Sequence, residues 1–309
     1  MSNSNSLFGG SNMMGVCYSP YHVAGKSFGD YTKDDINADL VITAKYFDFI
    51  RTYTVQYNQK HLPELCKNNS LGLALGCWIF TGTNAKTNTE AEIDTALAQA
   101  SAYPDAVKII VIGNEVDLAS NNYTYSQVKD AFDYAVKQKA TYDNLSDIPL
   151  TICMTGAGPV SSTWSPLLSL MQGYAFLTIY PWYGQTAGNM TPGNIGGNMD
   201  WSSDYGMVQA SNAGFAVVIA EIGWPSAGDD SKDTNWASEV ANFNATCTWI
   251  NGTNSKNKAF ITMWFEMFDE PWKTNEGAWG PYWGIYGSGT SPTVKTDEKK
   301  TTFSTCPSS

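Results

Sequence analysis

Short apolar runs rich in β-branched residues alternate along the chain with longer segments that repeat apolar residues at helical spacing. The runs are continuously apolar, which is typical of parallel strands covered on both faces. They predict eight strands, at residues 14–19, 49–54, 72–78, 107–113, 150–155, 176–181, 216–222 and 260–265. Helical patterns lie between them, among others at residues 34–47, 89–102, 126–143 and 235–249. Thr124 and Gln127 form a capping-box pattern before the third of these helices.

Eight strands, each followed by a helix or a helix-sized gap, predict an α/β protein with a single (β/α)8 TIM barrel. An open doubly wound sheet is the alternative. It would require a glycine-rich phosphate loop after the first strand, and residues 19–23 (Ser-Pro-Tyr-His-Val) contain no glycine. No boundary separates a second domain. We therefore expect residues 1–309 to form one barrel domain, with residues 1–12 as a disordered extension.

The composition excludes several classes of partner. The chain carries 18 basic and 29 acidic residues, a net charge of −11, which argues against nucleic acid and anionic membranes. There are two histidines, and none of the six cysteines forms a C-x-x-C pair, so neither a metal site nor a cofactor is expected. No stretch approaches the length of a membrane span. Aromatic residues make up 13% of the chain, which suits sugar stacking, although core packing explains most of these rings.

The cysteines and the asparagines point to the cell exterior. Cys306 is the best candidate for a disulfide, with Cys247 as its partner, whereas three cysteines lie inside predicted strands as core residues: Cys17, Cys77 and Cys153. N-glycosylation triplets begin at Asn68, Asn122, Asn144, Asn189, Asn244 and Asn251. These triplets fit a secreted glycoprotein, although residues 1–15 lack the apolar stretch of a signal peptide.

Two glutamates stand at the carboxyl ends of strongly apolar predicted strands, Glu115 after the fourth and Glu221 in the seventh. Glutamate is unfavourable on a buried strand, so each requires a compensating role. A structural pair with a basic residue inside the barrel is the alternative, but few basic residues lie near strand ends. Catalytic groups of such barrels sit at these ends, and strands four and seven face each other across the mouth. We therefore interpret Glu115 and Glu221 as a catalytic pair.

A pair of carboxyl groups at the mouth of a barrel suits chemistry at a sugar anomeric carbon. Carboxyls about 5 Å apart permit double displacement with retention of configuration, whereas inverting enzymes need about 6.5–9.5 Å. One carboxylate attacks the anomeric carbon while the other protonates the leaving oxygen and later deprotonates the acceptor. The acid must hold its proton near the working pH, which burial and a neighbouring carboxylate favour.

Several segments resemble glycoside hydrolase family 17, a group of retaining β-1,3-glucan enzymes built on (β/α)8 barrels. Residues 112–115 (Ile-Gly-Asn-Glu) and 220–226 (Ala-Glu-Ile-Gly-Trp-Pro-Ser) are similar to the two signature segments of that family. Residues 15–21 and 50–53 resemble its first and second strands, and residues 178–183 and 264–273 resemble its sixth and eighth in the fungal style. The resemblance covers most of the chain.

The resemblance implies a role for each matched residue. Glu115 corresponds to the general acid/base and Glu221 to the nucleophile. Asn114 would form a hydrogen bond with the 2-hydroxyl of the reacting sugar, and Tyr180 would donate its hydroxyl to Glu221. Tyr53 would lie against the sugar in the cleft.

The loops at the same end of the barrel add charged and aromatic candidates. Glu270, Lys273 and Glu276 match a trio that surrounds the acid in that family, where a cation and extra carboxylates would tune its pKa. A loop salt bridge is the alternative interpretation, and the role of Glu266 is open. Five aromatic residues are candidate stacking platforms: Trp182, Tyr183, Trp224, Trp279 and Trp283.

The resemblance implies β-1,3-glucan and laminari-oligosaccharides as partners of a monomer that is secreted or held in the cell wall. A glucosyl–enzyme ester can be taken by water or by a second glucan chain. The fungal-style segments and the aromatic loops favour a β-1,3-glucanosyltransferase that elongates or remodels wall glucan. An endo-β-1,3-glucanase is the alternative. A non-catalytic glucan-binding wall protein would be expected to lack one of the two glutamates.

Overall fold

Eight parallel strands form a closed barrel, in which each strand pairs with the next along the chain and the eighth pairs with the first. The computed structural model describes residues 7–9, 13–183, 206–229, 232–252, 254, 258–288 and 306. The strands are β1 (Met14–Cys17), β2 (Phe49–Arg51), β3 (Gly72–Cys77), β4 (Val107–Ile112), β5 (Leu150–Thr155), β6 (Tyr174–Thr178), β7 (Ala216–Ile222) and β8 (Thr262–Trp264). The predicted closed barrel is confirmed, and the open sheet is wrong.

Helices lie between the strands. They are α1 (Lys33–Thr43), α2 (Leu62–Asn68), α3 (Ala85–Ala102), α4 (Tyr125–Lys139), α5 (Val208–Asn212) and α6 (Trp236–Ile250). The predicted capping box starts α4: the Thr124 side chain accepts from the Gln127 amide at 3.2 Å, and the Thr124 amide donates to the Gln127 side chain at 2.9 Å. Helix α1 ends at Thr43 rather than at residue 47, and β6 ends at Thr178 rather than at residue 181.

Nearly every side chain of the strands is buried. The side chains of β3 and of β5 through Met154 are at most 1% exposed, and both faces are covered, as the continuous apolar runs predicted. The thiols of Cys17, Cys77 and Cys153 are buried and free, as predicted. Two buried charged residues on the strands, Arg51 and Glu221, need partners, and they lie toward the carboxyl ends of β2 and β7. Lys108, near the start of β4, is partly exposed.

The chain ends attach to the barrel at two places. Cys247 of α6 forms a disulfide with Cys306, with 5.4 Å between their Cα atoms, which confirms the predicted pair. The Phe8 ring stacks on Phe49 with 4.2 Å between centroids, so the described residues 7–9 pack on the barrel instead of extending freely. The rest of the predicted 1–12 extension lies outside the described residues, and a single domain over 1–309 stays a prediction.

Two further observations concern the class of protein. Within the described ranges, no helix has the length and apolar character that a membrane crossing requires. The described residues also contain no cluster of three His, Cys, Asp or Glu side chains arranged to hold a metal ion.

Four of the asparagines in glycosylation triplets are exposed, namely Asn68, Asn122, Asn144 and Asn244, whereas Asn189 lies outside the described residues.

Candidate active site

A cavity of about 1230 Å³ opens at the carboxyl ends of the strands, and both Glu115 and Glu221 line it. This volume exceeds the roughly 300–1,000 Å³ of common small-ligand pockets and leaves room for several sugar units. Aromatic side chains contribute much of the lining: Tyr21, Phe28, Tyr53, Tyr57, Trp78, Tyr180, Tyr183, Phe265, Trp272 and Trp283.

A sharp turn after β4 brings Glu115 into the cavity. Gly113 has φ +76°, and a Cβ at this position would lie 2.6 Å from the Val116 side chain, so only glycine fits. Glu115 itself has φ +45°, a left-handed conformation that costs a non-glycine residue about 1–3 kcal/mol. A strained backbone of this kind persists only where the surrounding structure holds it, and such conformations are concentrated at functional sites.

The Glu115 carboxyl lies in surroundings that favour its protonated form. Burial, followed by the charge of Glu221, raises the pKa of Glu115 to about 7, although Thr178 and Arg51 act in the opposite direction. Thr178 at the end of β6 donates its hydroxyl to Glu115 at 2.7 Å. A carboxyl with this pKa can deliver a proton near neutral pH.

Glu221 lies in β7, 4% exposed, and both of its oxygens accept strong hydrogen bonds. Arg51 donates to Oε1 at 2.6 Å, and the Tyr180 hydroxyl donates to Oε2 at 2.7 Å. The Tyr180 contact is the one that the family resemblance implied. The two donors fix the plane of the carboxylate, and Arg51 neutralises its charge.

Arg51, at the end of β2, was missed by the sequence reasoning. Its guanidinium also donates to the Ala220 carbonyl at 3.0 Å and to Asn114 Oδ1 at 2.6 Å, and it lies 4.8 Å from the centre of the Tyr53 ring. Because an arginine can only donate, the Asn114 oxygen must face it, which leaves the amide NH2 as the donor toward other groups. Arg51 is the single arginine of the chain, and it stands in an apolar strand; this signal could have identified it.

The charged residues after β8 form a buried cluster. Lys273 contacts Glu266 at 3.0 Å and Glu270 at 2.6 Å, and Ser19 donates to Glu270 at 2.5 Å. Although burial raises it, the contact with Lys273 brings the pKa of Glu270 below its usual value. Glu276 lines the cavity, but the ion pairs of Lys273 among the described residues are with Glu266 and Glu270.

The charged trio therefore differs from its expected form. Glu266, which had no assigned role, joins the ion pair in place of Glu276. The leading influences on the Glu115 pKa come from burial, Glu221, Thr178, Arg51 and Asp117, and not from the trio. The loop salt bridge, the alternative interpretation, describes this cluster better.

Three of the five expected stacking platforms are wrong, because Trp182, Trp224 and Trp279 do not line the cavity. Trp182 and Trp224 are 0% and 1% exposed, and neither lines the cavity. Trp182 packs edge-on against Tyr183 and Trp283 at 4.8 and 5.5 Å between ring centres. Trp182 therefore supports these two rings, which line the cavity, from behind. Tyr183 does line the cavity and is 51% exposed.

Glu92 of α3 is a second residue that the sequence reasoning missed. One oxygen of its buried carboxyl accepts from the Thr54 hydroxyl at 2.5 Å, the Val55 amide at 2.8 Å and the Trp78 amide at 3.2 Å. It thereby joins the loops after β2 and β3, which carry Tyr53 and Trp78 into the cavity. Glu92 lies in a polar helix, and the residues around it in the sequence do not indicate that its side chain is buried.

The chain is similar in sequence to known glycoside hydrolases. The sequence model of the BtgE/BtgC glycoside hydrolase domain matches residues 15–284. The chain is 24% identical over 304 residues to the glucan endo-1,3-beta-glucosidase btgC of Emericella nidulans, covering 89% of this chain and 44% of that protein. It is 22% identical over 299 residues to the putative glucan endo-1,3-beta-glucosidase btgC of Aspergillus niger, covering 89% and 42%. The chain thus spans less than half the length of these curated relatives.

Solved structures share the fold. An endo-laminarinase from Formosa Hel1_33_131 superimposes with a TM-score of 0.73 at 18% identity, over 93% of this chain and 86% of that one. CJP38, a beta-1,3-glucanase and allergen of Cryptomeria japonica pollen, superimposes with a TM-score of 0.65 at 16% identity, over 93% and 100%.

Proposed function

The chain belongs to the BtgE/BtgC glycoside hydrolase domain family and is a glycosidase, and we propose that it cleaves β-1,3-glucan internally with retention of configuration. The relatives in Emericella and Aspergillus are named glucan endo-1,3-beta-glucosidases, which supports this substrate. The resemblance of the strand-end segments to glycoside hydrolase family 17 supports the retaining mechanism.

The observation that carries the proposal is the unequal environment of the two carboxyls. Glu221 accepts from Arg51 and Tyr180 at 2.6 and 2.7 Å, whereas burial and the charge of Glu221 raise the pKa of Glu115 to about 7. Paired titratable groups that differ in this way divide into a nucleophile and an acid.

In the first step the Glu221 carboxylate attacks the anomeric carbon while Glu115 gives its proton to the leaving glycosidic oxygen. The C–O bond of the glucan breaks, and a glucosyl ester of Glu221 forms. Asn114 donates its NH2 to the 2-hydroxyl of this sugar, because its carbonyl oxygen is taken by Arg51. Tyr53 contacts the same sugar.

In the second step Glu115 acts as a base. Esterification removes the negative charge of Glu221, one of the two main causes of the raised pKa of Glu115. The Glu115 carboxylate then takes a proton from water, whose oxygen attacks the anomeric carbon and releases Glu221. Two inversions at one carbon give net retention.

We favour water as the acceptor over a second glucan chain. The expectation of a glucanosyltransferase rested partly on an aromatic acceptor surface that included Trp182, and that ring is buried. Transfer is the second candidate, since Leu118 and Tyr183 line the cavity and are 40% and 51% exposed on the side of β4 and β6. These two side chains offer apolar contact to an incoming sugar.

Product sizing after incubation with laminari-oligosaccharides tests the proposal. Shorter products alone indicate hydrolysis, and products longer than the substrate indicate transfer. NMR of the first product must show the β-anomer, and an initial α-anomer would contradict retention. Glu221→Gln is expected to abolish turnover, whereas Glu90→Gln on α3, the same change outside the cavity, is the matched control. Unchanged substrate with the unmodified chain would refute the proposal.

The monomeric state and the location outside the cell or in its wall stay predictions from the sequence. Size-exclusion chromatography with light scattering tests the first. Secretion of the tagged full-length protein by its own host tests the second.

A further inference from the structure

Four aromatic rings that line the cavity follow the neighbouring strands β8, β1 and β2: Tyr21, Phe28, Tyr57 and Trp272. We propose that this group, which we call the aromatic wall, binds glucosyl units on the glycone side, beyond the sugar that reacts. The inference rests on the proposed function and adds to it the residues that determine chain-length preference.

Three of the four rings of the wall contact one another. Tyr21 and Phe28 lie 4.2 Å apart between ring centres, and Phe28 meets Trp272 edge-on at 5.2 Å. They come from separate segments: Tyr21 and Phe28 follow β1, Tyr57 follows β2, and Trp272 follows β8. Three loops thus converge to build a single surface.

Three of the four rings of the wall are exposed to solvent although they are large. Phe28 is 40% exposed, Trp272 43% and Tyr57 53%. Rings that served only the core would turn inward, because each buried aromatic ring contributes substantially to stability. A contiguous exposed aromatic surface inside a cleft is the mark of a ligand site. The C–H faces of glucose stack on such rings.

Polar groups accompany the rings. Gln59 lines the cavity and donates to the Tyr21 hydroxyl at 2.7 Å, which holds this ring in place. Ser19 and Glu270 line the same cavity. Apolar faces with a few placed polar groups match a sugar, which has both C–H faces and hydroxyls.

The strand order assigns the wall to the glycone side. In the closed barrel β8, β1 and β2 are neighbours, and β4, β5 and β6 lie on the other side. Glu115 follows β4, and its carboxyl is bound by Thr178 of β6 at 2.7 Å. The proton donor, and with it the leaving group, therefore belongs to the β4–β6 side. The loops after β8, β1 and β2 hold the part of the chain that becomes attached to Glu221.

The test compares laminaritriose with laminarihexaose in Phe28→Ala and Trp272→Ala variants. The kcat/KM for the hexaose is expected to fall about ten-fold, which corresponds to about 1.4 kcal/mol of lost binding, while the kcat/KM for the triose changes less than about two-fold. Val160→Ala removes an apolar side chain that is 51% exposed and does not line the cavity, so it is the matched control. Thermal melting of each variant verifies folding.

Reducing-end-labelled hexaose tests the side of the cleft. With the wall weakened, bonds nearer the non-reducing end are expected to be cut more often, because long glycone segments lose their advantage. A shift toward the reducing end, or equal losses with both substrates in both variants, would overturn the inference while the proposed function stands. No cleavage of any β-1,3-glucan by the unmodified chain would overturn both.

Discussion

Replacing Arg51 by methionine removes the cation that holds the proposed nucleophile while keeping a side chain of comparable length. The substitution deletes hydrogen bonds to Glu221 Oε1, to the Ala220 carbonyl and to Asn114 Oδ1, of 2.6, 3.0 and 2.6 Å. All three acceptors then remain in a buried region without this donor.

The magnitude follows from the burial of the pair. The side chains of Arg51 and Glu221 are 1% and 5% exposed, so solvent screens their attraction poorly. Removing one partner of a buried ion pair lowers the free energy of unfolding by about 3–5 kcal/mol, because it leaves an unpaired charge. Displacement of a reacting group by about 1 Å costs about 10²-fold in rate, so we expect at least this loss in kcat.

Two measurements test this prediction. Urea titrations measure the free energy of unfolding of Arg51→Met, and turnover of laminarihexaose measures its kcat. Arg51→Lys retains the positive charge but not the planar guanidinium, which donates to several groups at once. It should therefore recover part of the stability and little of the activity.

A double variant supplies the decisive comparison. Arg51→Met combined with Glu221→Gln removes both charges, and it should be more stable than Arg51→Met alone at neutral pH while staying inactive. If the double variant is as unstable as Arg51→Met, Arg51 does not stabilise the buried Glu221 charge. If Arg51→Met retains full activity, Arg51 does not position the nucleophile.

Three other changes are predicted. Above about pH 7, kcat/KM should fall roughly ten-fold per pH unit, because the Glu115 carboxyl loses the proton that it must deliver; a flat profile from pH 6 to 9 would contradict this. Glu92→Gln keeps the oxygen that accepts three hydrogen bonds and should retain most activity and stability, whereas Glu92→Ala should lose about 1–3 kcal/mol in the free energy of unfolding; equal effects would reject the positioning role. Reduction of the Cys247–Cys306 disulfide, which closes a separation of 59 residues, should lower stability by up to about 4 kcal/mol in denaturant titrations, and no change would exclude a stabilising role.

The barrel and the two glutamates of the cavity were predictable because both produce strong local signals, and the catalytic roles of the glutamates stay predictions. A glutamate that ends an apolar strand is costly unless it has a function, and this criterion led to Glu115 and Glu221. The Cys247–Cys306 disulfide is confirmed, although the sequence argument left Cys66 as a second possible partner of Cys306. Topology then brings the strand ends together without further information.

Partners of these groups were harder to predict, since contacts between distant segments leave little trace in one sequence. Arg51 carried a signal as the sole arginine, but its bonds cross 63 residues to Asn114 and 170 to Glu221. Glu92 lies on a helix where glutamate is common. Trp182 was expected in the cleft because, like Tyr183, it was placed on a loop at the carboxyl end of the strands, yet the adjacent side chains have different surroundings.

Arg51 also bears on how such a domain can change its substrate. One side chain from β2 contacts Asn114 after β4 and two groups of β7, so the proposed catalytic residues are held by the strands of the barrel. The exposed rings, by contrast, come from loops after β1, β2 and β8. If these rings bind glucan as proposed, loops exchanged between relatives alter the preferred oligosaccharide length while the proposed catalytic groups keep their positions. Substrate length and bond cleavage are then controlled by different parts of one closed barrel.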